Sequence, residues 1–385
     1  MKRVILLMLL AGVLLVAGCS KDDDGGTVTP PPPPSDDLQA QGEVYWWNDQ
    51  VFYEVFVRSF YDSDGDGIGD LQGLIAKLDY LNDGNLQTTT DLGVTALWLM
   101  PVMESPSYHG YDASDYRTVE ADYGTNADFQ QLMSEAHARG MKVVIDLVMN
   151  HCSNDHPWFT ASNAGDPLWR DWFLWSATNP GWTQPWGNGP VWHNGSDGYF
   201  YGIFWSGMPD LNYTNPAVES EMLSTATYWL QDMGADGFRL DAIKYLIEEN
   251  GVLENTGPNF DFWSRFRSHL DVVAPEAFTV GEAWDNTSTV LQYIDAGLHT
   301  CFEFDLATAT IDAVNADNFT QLEGKVTEVA GDYPFQQYST FLTNHDQNRI
   351  FEQVGRSASR NKVAAAILLT APGVPFLYYG EEVGM

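Results

Sequence analysis

Basic residues are scarce in this chain of 385 residues. Lys and Arg number 18 against 53 Asp and Glu, which gives a formal net charge of −35 at pH 7. So acidic a surface repels phosphate groups, which excludes nucleic-acid binding as the main function. It also disfavours adhesion to anionic lipid through charge alone. A neutral or cationic ligand fits the charge better, and a salty or exposed milieu fits the surface.

Cysteine is scarce too, with three in the whole chain. Cys152 and Cys301 lie in distant segments, which argues against a disulfide framework. Motifs of other enzyme classes are absent as well. No Gly-x-Gly-x-x-Gly follows the first strand-like run, and no Gly-x-Ser-x-Gly of serine hydrolases occurs. The first strand reads Val55-Phe56-Val57 where a metal-dependent barrel hydrolase would carry His-x-His.

The N-terminus lacks an apolar run long enough to span a bilayer. Val4–Val16 follows Lys2 and Arg3 and has the length of a signal-peptide core. The run ends in the letters LVAGC at Cys19, which resembles a bacterial lipobox. We therefore predict a lipoprotein signal peptide over residues 1–18 and lipidation of Cys19. The alternative is a plain secretory signal with a chance cysteine.

Residues 19–43 have the composition of a Pro/Asp-rich tether. Five consecutive prolines, Pro30–Pro34, favour an extended polyproline II conformation. Near its start, Ser20–Asp24 is similar to the acidic signal that sends some lipoproteins to the outer cell surface. The predicted location is therefore that of an exported bacterial lipoprotein, anchored to a membrane and facing the outside.

Beyond the tether, apolar strand-like runs alternate with amphipathic helical stretches such as Leu71–Leu81 and Ala217–Met233. The eight runs are Val51–Val57, Val94–Met100, Val143–Val148, Gly237–Leu240, Phe278–Gly281, Cys301–Phe304, Ser339–Leu342 and Pro375–Tyr379. This alternation predicts an α/β fold, a parallel sheet with helices outside. Eight units favour a closed (β/α)8 TIM barrel over an open sheet. We predict the barrel over residues 44–149 and 213–385.

The connection after the third strand, residues 150–212, is far too long for a βα loop. We predict a small inserted domain, domain B, over the barrel mouth. Its tryptophans are Trp158, Trp169, Trp172, Trp175, Trp182, Trp186, Trp192 and Trp205. Their flat faces suit sugar rings, but the same residues could simply hold together a domain with little regular structure.

Carboxylates stand at the C-terminal ends of four predicted strands: Asp146, Asp241, Glu282 and Asp346. In a barrel these ends meet at one face, so we expect the side chains to converge. Arg239 and Asp241, two residues apart, share one face of their strand. A carboxylate beside a guanidinium is a usable nucleophile, although an isolated Arg-x-Asp can also be a structural ion pair.

The segments that carry these residues, together with Met208–Asn212, resemble the sequence regions of the α-amylase family of glycoside hydrolases (family 13). The resemblance covers roughly residues 45–385 and includes Tyr108–Asp112 and Gly373–Glu381. It implies a retaining α-glucan hydrolase that cleaves α-1,4 bonds of starch or malto-oligosaccharides, with α-glucosidase or neopullulanase activity as alternatives. A non-catalytic glycan-binding relative is the alternative of a different class.

Carried over residue by residue, the resemblance implies Asp241 as nucleophile, Glu282 as general acid/base and Asp346 as the carboxylate that steadies the transition state. The substrate-binding residues that it implies are Tyr111, Asp112, His151, Arg239 and His345. The chemistry agrees, because breaking a glycosidic bond takes one protonated carboxylic acid and one ionised carboxylate.

An acidic loop follows the first strand, with oxygens at EF-hand spacing and Gly67 at the sixth position. The twelfth position is Gly73 rather than Glu and a strand precedes the loop, which argues against a true EF-hand. Similar loops bind calcium in the oligoglucosidase-like part of the family. We predict one structural Ca²⁺ whose ligands are Asp62, Asp64, Asp66, Ile68 and Asp70; the alternative is a solvated acidic turn.

Some positions depart from the family pattern. Lys244-Tyr245 replaces the Lys-His of many α-amylases, which puts a calcium site between barrel and insert in doubt. Ala242 follows the nucleophile, as in enzymes that cut α-1,4 bonds. Met208–Asn212 and the extra loop Asn82–Asp91 resemble those of the group intermediate between oligo-1,6-glucosidases and neopullulanases. The usual C-terminal β-domain is absent from this chain, which predicts a longer parent protein.

Overall fold

The computed structural model describes residues 45–385. Its parallel sheet consists of β1 (Phe52–Val55), β2 (Ala96–Leu99), β5 (Lys142–Leu147), β9 (Gly237–Leu240), β10 (Phe278–Gly281), β11 (Thr300–Cys301), β12 (Ser339–Thr340) and β13 (Val374–Tyr378). The smaller strands are β3 (Met103–Glu104), β4 (Asp115–Val119), β6 (Trp175–Ser176), β7 (Trp192–Asn194) and β8 (Tyr199–Tyr201).

The eight parallel strands form a barrel. They pair in the order β11-β10-β9-β5-β2-β1-β13-β12. The two ends of this series meet at one parallel bridge, between Phe302 and Ser339, where the Glu303 N–H donates to the Ser339 carbonyl at 3.0 Å. The (β/α)8 TIM barrel predicted from the sequence is confirmed.

Helices connect the strands on the outside. They are α1 (Leu71–Ala76), α2 (Leu78–Leu81), α3 (Asn126–Ala138), α4 (Pro157–Asn163), α5 (Pro216–Thr227), α6 (Gly257–Val273), α7 (Thr287–Asp295), α8 (Phe304–Ala316), α9 (Thr320–Asp332), α10 (Ile350–Gln353) and α11 (Ala358–Thr370). Side-chain caps fix several starts: Thr125 and Asp128 form a reciprocal capping box on α3. Across the described residues, no helix is both long and apolar enough to cross a membrane.

Alternate residues of the barrel strands face two different cores. Phe52 points into the barrel and stacks on Phe376, with ring centroids 4.4 Å apart, while Tyr53 and Val55 pack outwards against the helices. Aromatic side chains fill the N-terminal half of the barrel interior. The next inward position of β1 is Glu54, so the strand period places charged residues above the aromatic layer.

The segment 150–212, predicted as domain B, contains α4 and a three-stranded antiparallel sheet ordered β6-β8-β7. A small hydrophobic cluster joins it to the loop after β9, because Trp192 and Tyr201 pack with Leu253. Most of its tryptophans are half-buried or buried and hold this segment together. Trp186 and Trp205 are the exceptions, at 51% and 53% exposed.

The predicted signal peptide, Cys19 and the tether of residues 19–43 lie outside the described residues, as does residue 44 of the predicted barrel segment.

Candidate active site

Strand register brings the candidate catalytic residues together. β9 lies between β5 and β10, and Arg239 is level with Asp146 on one side and Val280 on the other. The Glu282 N–H donates to the Leu240 carbonyl at 3.0 Å, so the ladder continues one residue beyond the strands. Asp241 and Glu282 therefore follow neighbouring strands at the same level.

The chain turns sharply after Asp241. Ala242 has φ +49°, in the left-handed region that non-glycine residues rarely occupy. Such a conformation costs on the order of 1–3 kcal/mol and persists where the surrounding structure enforces it. Here the turn ends the strand immediately after the candidate nucleophile.

The Arg239 guanidinium joins three carboxylates. Its Nη1 donates to Asp146 Oδ1 and Oδ2 at 2.8 and 2.9 Å and to Asp241 Oδ1 at 2.7 Å. Its Nη2 lies 2.7 Å from Glu282 Oε2. Burial raises the pKa of Asp241, and the positive charge of Arg239 opposes that rise. The sequence predicted the Arg239–Asp241 pair; the contact with Glu282 was not foreseen.

His345 and Tyr111 form the next part of the site. Their rings stack with centroids 5.3 Å apart, and His345 Nε2 lies 2.6 Å from the Tyr111 hydroxyl. That hydroxyl donates to Asp146 Oδ2 at 3.0 Å. His345 Nε2 is also 3.5 Å from Asp346 Oδ2, whose side chain is 53% exposed. These contacts connect the loop after β3, Asp146 on β5 and the residues that follow β12.

His151 is buried and uncharged. Its Nε2 lies 3.0 Å from the Tyr111 carbonyl and donates to it. Burial lowers the pKa of His151 to about 4, and the carbonyl contact only partly opposes this. The ring is therefore neutral at physiological pH.

These residues meet at one open cleft of about 930 Å³. This volume is near the upper end of ligand pockets, so the cleft has room for an extended ligand. Of the residues predicted from the sequence, it is lined by Tyr111, His151, Asp241, Glu282, His345 and Asp346. Arg239 lies buried beneath it.

Asp112, predicted to bind substrate, is placed differently. Its side chain is buried and accepts hydrogen bonds from the hydroxyls of Ser105, at 2.8 Å, and Ser107. The structure thus shows Asp112 bracing the loop after β3 rather than facing the cleft.

Trp186, one of the tryptophans whose flat faces suit sugar rings, lies on the cleft wall. Several other residues of the wall were not predicted from the sequence: Tyr108, His109, Phe204, Lys244, Tyr245, Glu254, Trp284 and Asp285. Trp284 is 55% exposed and stacks on Phe304 at 4.7 Å. The sequence did contain a signal for this position. Trp284 is two residues after Glu282, and in an extended chain the side chain at i+2 lies on the same face as the side chain at i.

The loop after β1 fits a hard divalent cation. Carboxylate oxygens of Asp62, Asp64 and Asp70 lie within 4.8 Å of one another, whereas Asp66 lies outside this group. Hydrogen bonds from the backbone N–H groups of Gly65 and Gly67 lower the pKa of Asp62 and keep it ionised. Clustered carboxylate oxygens are the ligands that Ca²⁺ prefers.

Comparison with known proteins agrees with this geometry. Residues 54–385 match the family model described as the catalytic domain of alpha amylase. The chain belongs to the α-amylase family. It therefore contains the catalytic domain of a glycoside hydrolase-type enzyme, as the sequence predicts.

The relatives carry more than one activity in their names. Alpha-amylase 3 of Dictyoglomus thermophilum is 41% identical over 353 residues, which cover 88% of this chain and 65% of that protein. The 4-alpha-glucanotransferase of Thermotoga neapolitana is 36% identical, over 87% of this chain and 72% of that protein. The crystal structure of the alpha-amylase from H. orenii has a TM-score of 0.82 and 46% identity, covering 88% of this chain and 70% of that chain. The chain thus spans roughly two thirds of the length of these relatives.

Proposed function

We propose that this domain is a retaining α-glucan hydrolase that cleaves α-1,4-glucosidic bonds of starch or malto-oligosaccharides. The observation that carries the proposal is the arrangement of Asp241, Glu282 and Asp346 around one cleft, with the first two held by a single guanidinium. The family leaves hydrolysis and transfer open, and it does not fix the subgroup between oligo-1,6-glucosidases and neopullulanases.

In the first step, Asp241 attacks the anomeric carbon and forms a covalent glycosyl ester. Glu282 gives its proton to the glycosidic oxygen, which leaves with the rest of the chain. In the second step Glu282 takes a proton from water, and the water oxygen displaces Asp241. Asp346 stabilises the positive charge that develops on the sugar.

The ion pair between Arg239 and Glu282 bears on the first step. A general acid must hold a proton when it acts, and here the Glu282 carboxyl contacts the Arg239 guanidinium at 2.7 Å. We expect the bound glycosidic oxygen to replace this contact and leave Arg239 to Asp146 and Asp241. Of the two reacting carboxylates, Arg239 would then stabilise only the nucleophile, Asp241.

Neighbouring strands favour retention of the α configuration. Strands of one sheet lie about 4.8 Å apart, so carboxyls after β9 and β10 can approach the roughly 5–5.5 Å separation of retaining glycosidases. That spacing leaves no room for the water that an inverting enzyme places between them.

Transfer to a second sugar is the other candidate function. The aromatic side chains of Trp186, Tyr245 and Trp284 on the cleft wall offer flat surfaces for an acceptor. A relative named 4-alpha-glucanotransferase points in the same direction.

Maltoheptaose distinguishes these functions. We expect shorter malto-oligosaccharides from hydrolysis, with the α-anomer appearing first by NMR, and products longer than seven units only if transfer competes. Asp241→Asn should abolish turnover but still bind oligosaccharide, and Asp271→Asn on the exposed face of α6 should leave turnover unchanged. A β-anomer formed before mutarotation would contradict the mechanism.

We also propose one structural Ca²⁺ in the loop after β1, held by Asp62, Asp64 and Asp70 and completed by Asp66 and the Ile68 carbonyl. The ion would stiffen this loop and take no part in bond cleavage. Export as a membrane-anchored lipoprotein through Cys19 is the proposed location.

A further inference from the structure

Glu54 is an acidic residue in the middle of an otherwise apolar strand. Its neighbours Phe52, Tyr53 and Val55 are buried, and Glu54 itself is 2% exposed. Buried carboxylates are rare because desolvation penalises the charge unless a partner offsets it. The partner here is His345, whose Nδ1 lies 2.7 Å from Glu54 Oε1.

The hydrogen bonds around the His345 ring indicate which of its two nitrogens carry a proton. The Tyr111 hydroxyl has one proton, which it donates to Asp146 Oδ2. Towards His345 Nε2 this oxygen can therefore only accept, so Nε2 carries a proton. Nδ1 carries the second proton, because it faces the Glu54 carboxylate. The ring is an imidazolium.

The charged and titratable groups around His345 come from several strands: Glu54 on β1, Tyr111 after β3, Asp146 on β5, Arg239 on β9, Asp241 after β9 and Asp346 after β12. Tyr378 and Glu381, at β13, face Glu54. Burial alone would lower the pKa of His345. The hydrogen bond and charge of Glu54 outweigh it and raise the pKa to about 9. Burial raises the pKa of Glu54 itself, and His345 and Arg239 oppose that rise.

We infer that Glu54 is a positioning residue of the reaction: from beneath the cleft it holds His345 as a cation beside Asp346, with the Nε2 proton donated to the Tyr111 hydroxyl. This inference rests on the proposed function. It gives His151 and His345 different roles in the cleft, because His151 is a neutral ring and His345 a fixed positive charge. An imidazolium donates a stronger hydrogen bond than a neutral ring does, so the charge on His345 holds the Tyr111 hydroxyl more firmly at the cleft.

Glu54→Gln tests the inference because the amide keeps the shape and an acceptor for Nδ1 but removes the charge. In wild type the alkaline limb of kcat/KM should lie near pH 9. In the variant His345 should lose its proton below about pH 7, which reduces activity on the order of 100-fold at pH 8.5 and far less at pH 5.5. An equal loss at every pH, or an unmoved alkaline limb, would overturn the inference.

Glu303→Gln is the matched control. Glu303 is also fully buried and accepts a hydrogen bond from the Thr287 hydroxyl at 2.5 Å, but it follows β11 and does not line the cleft. This variant should lose thermal stability without moving the alkaline limb.

NMR titration of the His345 ring gives a readout that needs no activity. The chain has eight histidines, so His345→Gln identifies the signal by its loss. In wild type the ring should stay protonated until about pH 9, even if the proposed substrate is wrong. A wild-type signal that titrates at or below pH 6.5 would refute the inference, including when Glu54→Gln does not fold.

Discussion

At the scale of residues, the position of Arg239 requires both the charge and the planar shape of its side chain. Its buried guanidinium contacts Asp146, Asp241 and Glu282, and the Trp98 ring lies 5.2 Å from it. A planar fork can contact several carboxylates at fixed angles, whereas an ammonium concentrates its charge at one point. The geometry of the two reacting carboxylates therefore depends on the shape of this side chain as much as on its charge.

We expect Arg239→Lys to lower kcat/KM by about 100-fold or more, because one ammonium cannot hold three carboxylates in place. Initial rates on maltoheptaose measure the loss. Arg265→Lys is the control, since Arg265 makes a similar bidentate contact with Glu219 at the exposed surface. Comparable losses in the two variants would contradict the assignment.

Glu381 gives a prediction about pH and stability. Burial raises its pKa to about 8, with the Thr343 hydroxyl and Arg349 opposing and Glu54 adding to the rise. From about pH 5 to pH 8 the folded chain therefore holds a proton that the unfolded chain has released. The contribution of Glu381 to stability therefore falls as the pH rises through this window, by at most about 1.4 kcal/mol per pH unit.

We expect Glu381→Gln to remove this loss, so that the variant gains stability relative to wild type as the pH rises from 5 to 8. Urea unfolding at a series of pH values measures it. Glu352→Gln, at an exposed position of α10, should keep the wild-type dependence. Parallel curves for wild type and Glu381→Gln would refute the protonated state.

At the scale of elements, the loop after β1 shows how backbone conformation selects residues. Gly65 and Gly67 have φ of +87° and +96°, which residues with a side chain rarely adopt. A Cβ on Gly73 would lie 2.0 Å from the Tyr61 carbonyl oxygen. The twelfth position therefore has no space for the Glu of an EF-hand, and the loop depends on its own aspartates.

We expect Ca²⁺ to raise the melting temperature by a few degrees, because a ligand bound by the folded state alone stabilises it by mass action. Chelation should reverse the gain. Asp64→Ala should abolish it, whereas Asp83→Ala, at a half-buried position of another acidic loop, should keep it. The site is refuted if calorimetry shows the same chelator effect in Asp64→Ala and wild type.

The strands were predictable where an apolar run ends in polar residues. Gly237–Leu240 and Phe278–Gly281 are observed with the predicted bounds. The sixth run was predicted as Cys301–Phe304, but the strand is Thr300–Cys301 and a helix begins at Phe304. The seventh pairs over only Ser339–Thr340. Tertiary pairing decides where such short strands stop, and a local pattern does not contain it.

The site was also predictable only in part, because a local sequence pattern does not contain the tertiary contacts. Asp241, Glu282 and Asp346 line one cleft because strand ends converge in a barrel. The burial of Asp112 depends on loop contacts with Ser105 that sequence spacing does not reveal. Glu54 was overlooked because a strand was recognised by its apolar residues, although one acidic residue at an inward position was a signal.

At the scale of the whole molecule, the net charge of −35 and the N-terminal motif both bear on where the protein works. We expect Cys19→Ala to release the protein from the membrane fraction, because the proposed lipid chain would be its anchor. Fractionation and immunoblotting measure the release. Cys152→Ala, at a buried position near the start of the segment 150–212, is the control and should remain bound. Equal retention of Cys19→Ala and wild type would refute lipidation at Cys19.

The single Phe302–Ser339 bridge, where the barrel closes, lies between the strands that precede Glu282 and Asp346. Along the hydrogen-bonded ladder, the strands that carry Asp241 and Glu282 stand near one terminus, and the strand before Asp346 is the other terminus. Asp241 and Glu282 thus follow directly paired strands, whereas along the ladder β12 is five strands away from β9 and six from β10. Small movements of the barrel at this bridge would widen or narrow the cleft around a sugar. The spacing between Asp241 and Glu282, which break the glycosidic bond, would stay the same.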